Sequence, residues 1–157
     1  MKTTVSIVYI LFAFLILGCK SNTSKTTNQD STVQTKVEDV PFDANVKVEW
    51  VFEEKGEGQY GEPLVNLKAK INGKLILIQD QVNQTLYEME KEGYANDNFP
   101  KTALTAVKGW WAGGGSNFYV ALEGGKLVFY RGETGEELNP EQTQYKAFKT
   151  ISSSDLK

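Results

Sequence analysis

A chain of 157 residues, 40% hydrophobic and 24% charged, has the composition of one soluble globular domain with room for extra segments. Its net charge of −3 and pI near 5.1 provide no basic field for nucleic acid, and the absence of histidine excludes Ser–His and Cys–His nucleophile systems. The single cysteine, Cys19, leaves zinc without its usual ligands and the domain without an internal disulfide. What remains is carboxylate, lysine or tyrosine chemistry or an oxygen-ligand calcium site; neither a cofactor nor a metal is expected.

The chain opens "MKTTVSIVYILFAFLILGCK", a positive start followed by an apolar run of 14 residues from Val5 to Gly18, broken only by Ser6. A membrane-spanning helix needs about 20 apolar residues and a signal-peptide core only about 7–15, so the run reads as a signal peptide over 1–18. It ends in Ile16-Leu17-Gly18-Cys19, which resembles the lipobox of bacterial lipoproteins. The resemblance covers about the first twenty residues and implies cleavage before Cys19, whose thiol carries a diacylglyceryl group. Leu17 departs from the pattern, since a small residue or a smaller aliphatic is commoner there. Lys20 is not the aspartate that retains lipoproteins in the inner membrane, and the first acid is Asp30. The resemblance therefore implies an outer-membrane anchor with the protein facing the periplasm. At about 0.8 kcal/mol per buried CH₂, several acyl chains make such anchoring effectively permanent.

Residues 19–36, "CKSNTSKTTNQDSTVQTK", contain one aliphatic side chain, Val33, and cannot bury enough apolar surface to offset their ordering entropy. They read as a flexible tether, with an end-to-end distance of about 20–25 Å, ahead of a single globular domain over 37–157.

That domain begins with "VKVEWVFE" (46–53), where Val46, Val48, Trp50 and Phe52 alternate onto one face of a strand. After a Gly-rich loop, "LVNLKAKINGKLILIQ" (64–79) carries the Asn72-Gly73 hairpin signal. A two-residue turn there sets Ile71 opposite Lys74, Ala69 opposite Ile76 and Leu67 opposite Ile78 on an apolar face. The other face sets Lys70, Lys68 and Asn66 against Leu75 and Leu77, which lysine stems can partly cover. Over 80–99, Val82, Leu86 and Met89 recur at helical spacing, with Asp80 placed as an N-cap and Gly93 as a C′ residue. A helix is the favoured reading, although "TLYEME" also alternates like an edge strand. "PKTALTAV" (100–107) suits a short helix opening at Pro100 or the lead-in to a strand.

"KGWWAGGGSNFYVAL" (108–122) reads as a strand, a loop over Gly113–Ser116 and a second strand, with Trp111 facing Phe118 and Trp110 facing Tyr119. A second turn at Gly124-Gly125 sets Leu122 opposite Leu127, Val120 opposite Phe129 and Tyr119 opposite Tyr130. Alternation then sorts the residues into two faces. Trp111, Phe118, Val120, Leu122, Leu127 and Phe129 form the core face. Lys108, Trp110, Tyr119 and Tyr130 share the other and are the candidate binding residues, because amphipathic aromatics in a row stack a sugar ring or anchor a partner protein. Cross-strand aromatic pairs equally stabilise sheets, and a second layer can cover such a face. "RGETGEEL" (131–138) gathers Glu133, Glu136 and Glu137 but matches no calcium loop, and "YANDNFP" (94–100) reads as an Asx-rich turn. "GGGS" lacks the Lys-Ser/Thr of a phosphate loop. "QYKAFKTI" (144–151) supplies a last strand.

The fold class expected is mainly β, an antiparallel meander closing toward a small barrel or sandwich, with one or two short helices near 82–107; the alternative is α+β. The function expected is a lipid-anchored envelope protein with a non-catalytic binding domain for an envelope protein or glycan, inhibitor-like in its specific form. Lipoprotein lysozyme inhibitors are similar in gross plan, but their usual disulfide cannot form here. The alternatives are a carboxylate-based glycan-processing enzyme and a structural subunit of an envelope assembly.

Overall fold

The structure, a computed structural model, describes residues 39–135 and 143–157. The segments read as signal peptide and tether, Cys19, and the pair Glu136 and Glu137 lie outside the described residues.

Strands β1 (Val48–Glu57), β2 (Pro63–Ile71) and β3 (Lys74–Val82) form a three-stranded antiparallel sheet in that order. Asn72 and Gly73 take φ of 50° and 82°, the type I′ combination that matches strand twist. The turn fixes Ile71 opposite Lys74, Ala69 opposite Ile76, Lys70 opposite Leu75 and Lys68 opposite Leu77, as the sequence predicts. Leu67, Ala69 and Ile71 are buried, whereas Leu75 and Leu77 stay exposed on the outer face. On that face Glu53 accepts from both Lys55 and Lys68, which hold its carboxyl down at about 2. The expected opposition of Leu67 and Ile78 is not formed. A one-residue shift sets Leu67 opposite Gln79, a bulge that lets both Leu67 and Ile78 reach the core.

The second sheet runs β4 (Thr85–Glu88), β5 (Thr105–Trp110), β6 (Gly114–Glu123), β7 (Lys126–Gly135) and β8 (Lys146–Ile151), again antiparallel and in sequence order. Two sheets of an up-and-down antiparallel meander are the mainly β architecture expected. The helix expected between Asp80 and Gly93 is replaced by strand: β3 runs on to Val82 and 85–88 pairs with β5 as an edge strand. Val82 and Leu86 bury into one core from two separate strands, so their spacing of four reflects a turn between strands and not one helix face. Gln81 makes the bend at φ 46°, donating its N–H to Asn66 Oδ1 at 3.1 Å. The helical piece lies further on, a 3₁₀ helix over Lys91–Asp97 ended by Asn98 at φ 57°. Pro100 opens a turn closed by the Ala103 N–H on its carbonyl, and β5 follows. A second 3₁₀ turn, Ser153–Leu156, closes the chain with a capping box between Ser152 and Asp155.

The sheets pack face to face on one core that takes Val48, Trp50, Leu67 and Ile71 from the first and Val107, Phe118, Leu127 and Phe129 from the second. Trp50 ties them together. Its ring meets Phe129 edge-on at 5.8 Å, and its Nε1–H donates to Thr105 Oγ1 at 3.1 Å, satisfying the one polar atom that burial would strand. Thr105 in turn donates to Glu88 on β4 at 2.9 Å.

Candidate functional site

The β5–β6 hairpin decides where the two adjacent tryptophans go. Its turn is Ala112-Gly113, at φ 48° and 83°, with Trp111 bridged to Gly114. The expected loop over Gly113–Ser116 is therefore too long. Val107, not Trp111, stands opposite Phe118, and Ala106, not Trp110, stands opposite Tyr119. The slip is four residues along β5, an even number, so every side chain keeps its expected face. Position along the strand does not survive. Trp110 pairs with Thr85 of β4, and four residues of strand, about 13 Å, separate it from Ala106. Trp110, Tyr119 and Tyr130 thus share a face without forming a row. Trp111, expected in the core, is 40% exposed.

The outer face of the second sheet is covered by its own layer. Tyr119 stacks on Tyr130 at 4.6 Å and 7°, in the expected pairing. Over them lie Tyr94, Phe99 and Ala103 from the segment around the first 3₁₀ helix, with Tyr145 beside them. Lys108 forms an ion pair with Asp97, which is itself buried. Tyr145 donates its hydroxyl to the Asp97 carbonyl at 2.7 Å, and Asn98 donates its side-chain amide to the Thr143 carbonyl at 3.2 Å. The "YANDNFP" turn is the latch of this cover. Of the four residues expected to bind, Tyr119 is only 7% exposed and packs, Lys108 is occupied with Asp97, and Tyr130 and Trp110 are half-buried.

Burial raises the Tyr119 phenol from 10.0 to about 12 and pushes Tyr145 higher still. The folded state therefore holds these protons where the unfolded chain has lost them. The stability so contributed is complete below pH 10 and is lost as pH rises toward about 12. Urea midpoints are expected to fall across that window, and Tyr119→Phe is expected to flatten the fall.

At one end of the sandwich the sheets leave a groove of about 550 Å³ between them. Its walls are Phe52, Leu64 and Val65 from the first sheet and Leu86 and Trp111 from the second, with Glu54 and Glu57 also lining it. The alternation Val48, Trp50, Phe52 that builds the core continues to Glu54, which stands directly opposite the buried Val65. An inner-face position thus carries a carboxylate where the core ends. Phe52 and Trp111, 36% and 40% exposed, face this gap. Beside it, the β1–β2 loop is braced by Glu62, which accepts the Tyr60 N–H at 2.8 Å while its own carbonyl accepts the Gly58 N–H at 2.7 Å. A side chain at Gly58 would displace the Glu62 carboxylate from this brace. The first strand had signalled the groove only through the change from Phe52 to Glu54 within one alternating series.

Glu133, from the acidic stretch, is taken up by Arg131 at 2.8 Å and by the Ser116 hydroxyl at 3.0 Å. Among the described residues no three acidic or cysteine side chains gather as a metal ligand set, and no helix is long and apolar enough to cross a membrane. Comparison of the chain with protein-family models, curated proteins and solved structures finds no match, which leaves the chemistry of the groove to carry the functional reading.

Proposed function

We propose that this is a lipid-anchored cell-envelope protein whose β domain binds an envelope protein or glycan, without catalysis, through the groove between its two sheets. The observation that carries the reading is the placement of Phe52 and Trp111: both are more than a third exposed, and both face the same gap. Large aromatics at the centre of a concave, mainly apolar site are the usual anchors of binding energy. The lipobox-like Ile16-Leu17-Gly18-Cys19 supports the anchor and the outer-membrane, periplasm-facing location.

A carboxylate-dependent glycan hydrolase is the second reading, favoured by Glu54 and Glu57 lining one groove. Against it, a general acid is made by enclosing a carboxyl in apolar surroundings, and both glutamates are exposed.

Crosslinking in intact envelopes tests the proposal. Trp111→Ala is expected to reduce partner capture at least about tenfold while costing less than about 1 kcal/mol of stability, and Trp110→Ala to leave capture unchanged. Undiminished capture by Trp111→Ala and by Phe52→Ala would rule the groove out. Cys19→Ser is expected to move the protein from the membrane to the soluble fraction.

A further inference from the structure

Resting on the groove as the binding site, we infer that its ligand is a segment of a partner protein that inserts a lysine or arginine beside aliphatic residues. Three observations meet here. The lining is largely apolar and aromatic, with Phe52 and Trp111 exposed beside the buried Leu86. The only charged side chains among the described lining residues are Glu54 and Glu57, and no described lysine or arginine lines the site beside them. Finally, Glu54 occupies an inner-face position opposite Val65, which carries its carboxylate past the end of the core and into the gap.

An occupant that satisfies all of these has an apolar stem and a cationic end. Lysine and arginine are built this way, with methylenes that cover apolar surface and a head group that seeks charge. The stem lies on Phe52 and Leu86, the cation sits against the Trp111 face, and the head group reaches the two carboxylates. An anionic segment is repelled by the same pair, which gives the site a sign as well as a shape. The other charged surface nearby does not compete for this role, because Lys55 and Lys68 on the outer face already neutralise Glu53.

The test uses the full-length protein in zwitterionic phosphatidylcholine nanodiscs, with intrinsic fluorescence read in a Trp110→Phe background and the Trp111 signal taken as its difference from Trp110→Phe/Trp111→Phe, which retains only the buried Trp50. The probes are acetyl-Leu-Lys-Leu-Arg-Leu-amide, its Gln-substituted and Glu-substituted counterparts, and chitotetraose; empty nanodiscs are the blank. The cationic peptide is expected to bind about tenfold more tightly than the Gln peptide at low salt, with the Glu peptide weakest. The preference is expected to shrink as salt rises and to vanish in Glu54→Gln/Glu57→Gln, whose fold the exposed positions leave intact. Equal binding of the cationic and Gln peptides, or a preference that survives the double substitution, overturns the cationic ligand while leaving the groove as a binding site. A response to chitotetraose alone has the same meaning and assigns the groove to a glycan. Silence of Trp111 toward every probe overturns the cationic ligand, and together with undiminished partner capture by Trp111→Ala it overturns the groove itself.

Discussion

Gly115→Ala is expected to destabilise the protein by about 3 kcal/mol, while Gly114→Ala, one residue earlier, changes stability by less than about 0.5 kcal/mol. The three consecutive glycines of the β5–β6 hairpin are not equivalent. Gly113 supplies φ +83° at the second turn position, a left-handed conformation that a side chain strains. Gly114 has its nearest neighbour, the Thr134 carbonyl, at an ordinary 3.7 Å from the place a Cβ would occupy. At Gly115 the same Cβ falls well inside contact distance of the Gly109 carbonyl and lies 3.2 Å from Trp110 Cα. Those are backbone atoms, which cannot rotate aside as a side-chain tip does. Gly109 is in turn closed to a side chain by Leu86 and the Ser116 carbonyl, so β4, β5 and β6 meet here at close range. Forcing them apart moves Trp111 as well, because it leaves the same hairpin one residue beyond Trp110. Urea denaturation of the two variants separates the outcomes, and equal losses would show that the crossing relaxes freely.

The same hairpin shows what could be read in advance. Asn72-Gly73 announces its turn because Asn and Gly both tolerate the left-handed region, and the flanking pairs follow by counting. Ala112-Gly113 adopts the same kind of turn, with φ values of 48° and 83°, but alanine gives no such signal and three glycines offer several places to bend. Because the four-residue offset is even, each residue keeps its expected face, whereas the expected row of Trp110, Tyr119 and Tyr130 is not formed. The binding groove was less legible still. It lies between residues that no local pattern connects, since Phe52 and Trp111 come to line one groove only through the packing of two sheets. The cover on Tyr119 was hidden for a related reason: the Asp97–Lys108 pair that pins it joins a turn to a strand across an irregular connection. Alternation and turn chemistry determine faces and hairpins; which faces meet depends on long-range packing.

Phe99→Ala is expected to remove about 3–5 kcal/mol from the layer that covers Tyr119, the typical cost of deleting a buried phenylalanine. Phe99 is 6% exposed, with ring centroids 5.5 Å from Tyr94, 6.2 Å from Tyr119 and 5.3 Å from Tyr145. It is the ring that joins Tyr94, from the covering segment, to Tyr119 and Tyr145. The layer is separate from the inter-sheet core, which contains Trp50, Phe118 and Phe129 and does not contain Phe99. Its polar fastenings are few, chiefly the Asp97–Lys108 pair and the bonds to Tyr145 and Thr143. Loss of Phe99 is therefore expected to open the cover locally, with amide protection over 91–103 falling about 100-fold or more while β2 and β6 change less. Equal losses in the cover and the sandwich would mean that the two unfold as one unit. The variant also discriminates between the two aromatic surfaces. Opening the cover presents Tyr119 and Tyr130, so a partner that uses their face binds Phe99→Ala more tightly. A ligand held by Phe52 and Trp111 in the inter-sheet groove meets the same walls as before, and its affinity is expected to stay within about twofold, since none of those walls belongs to the covering layer.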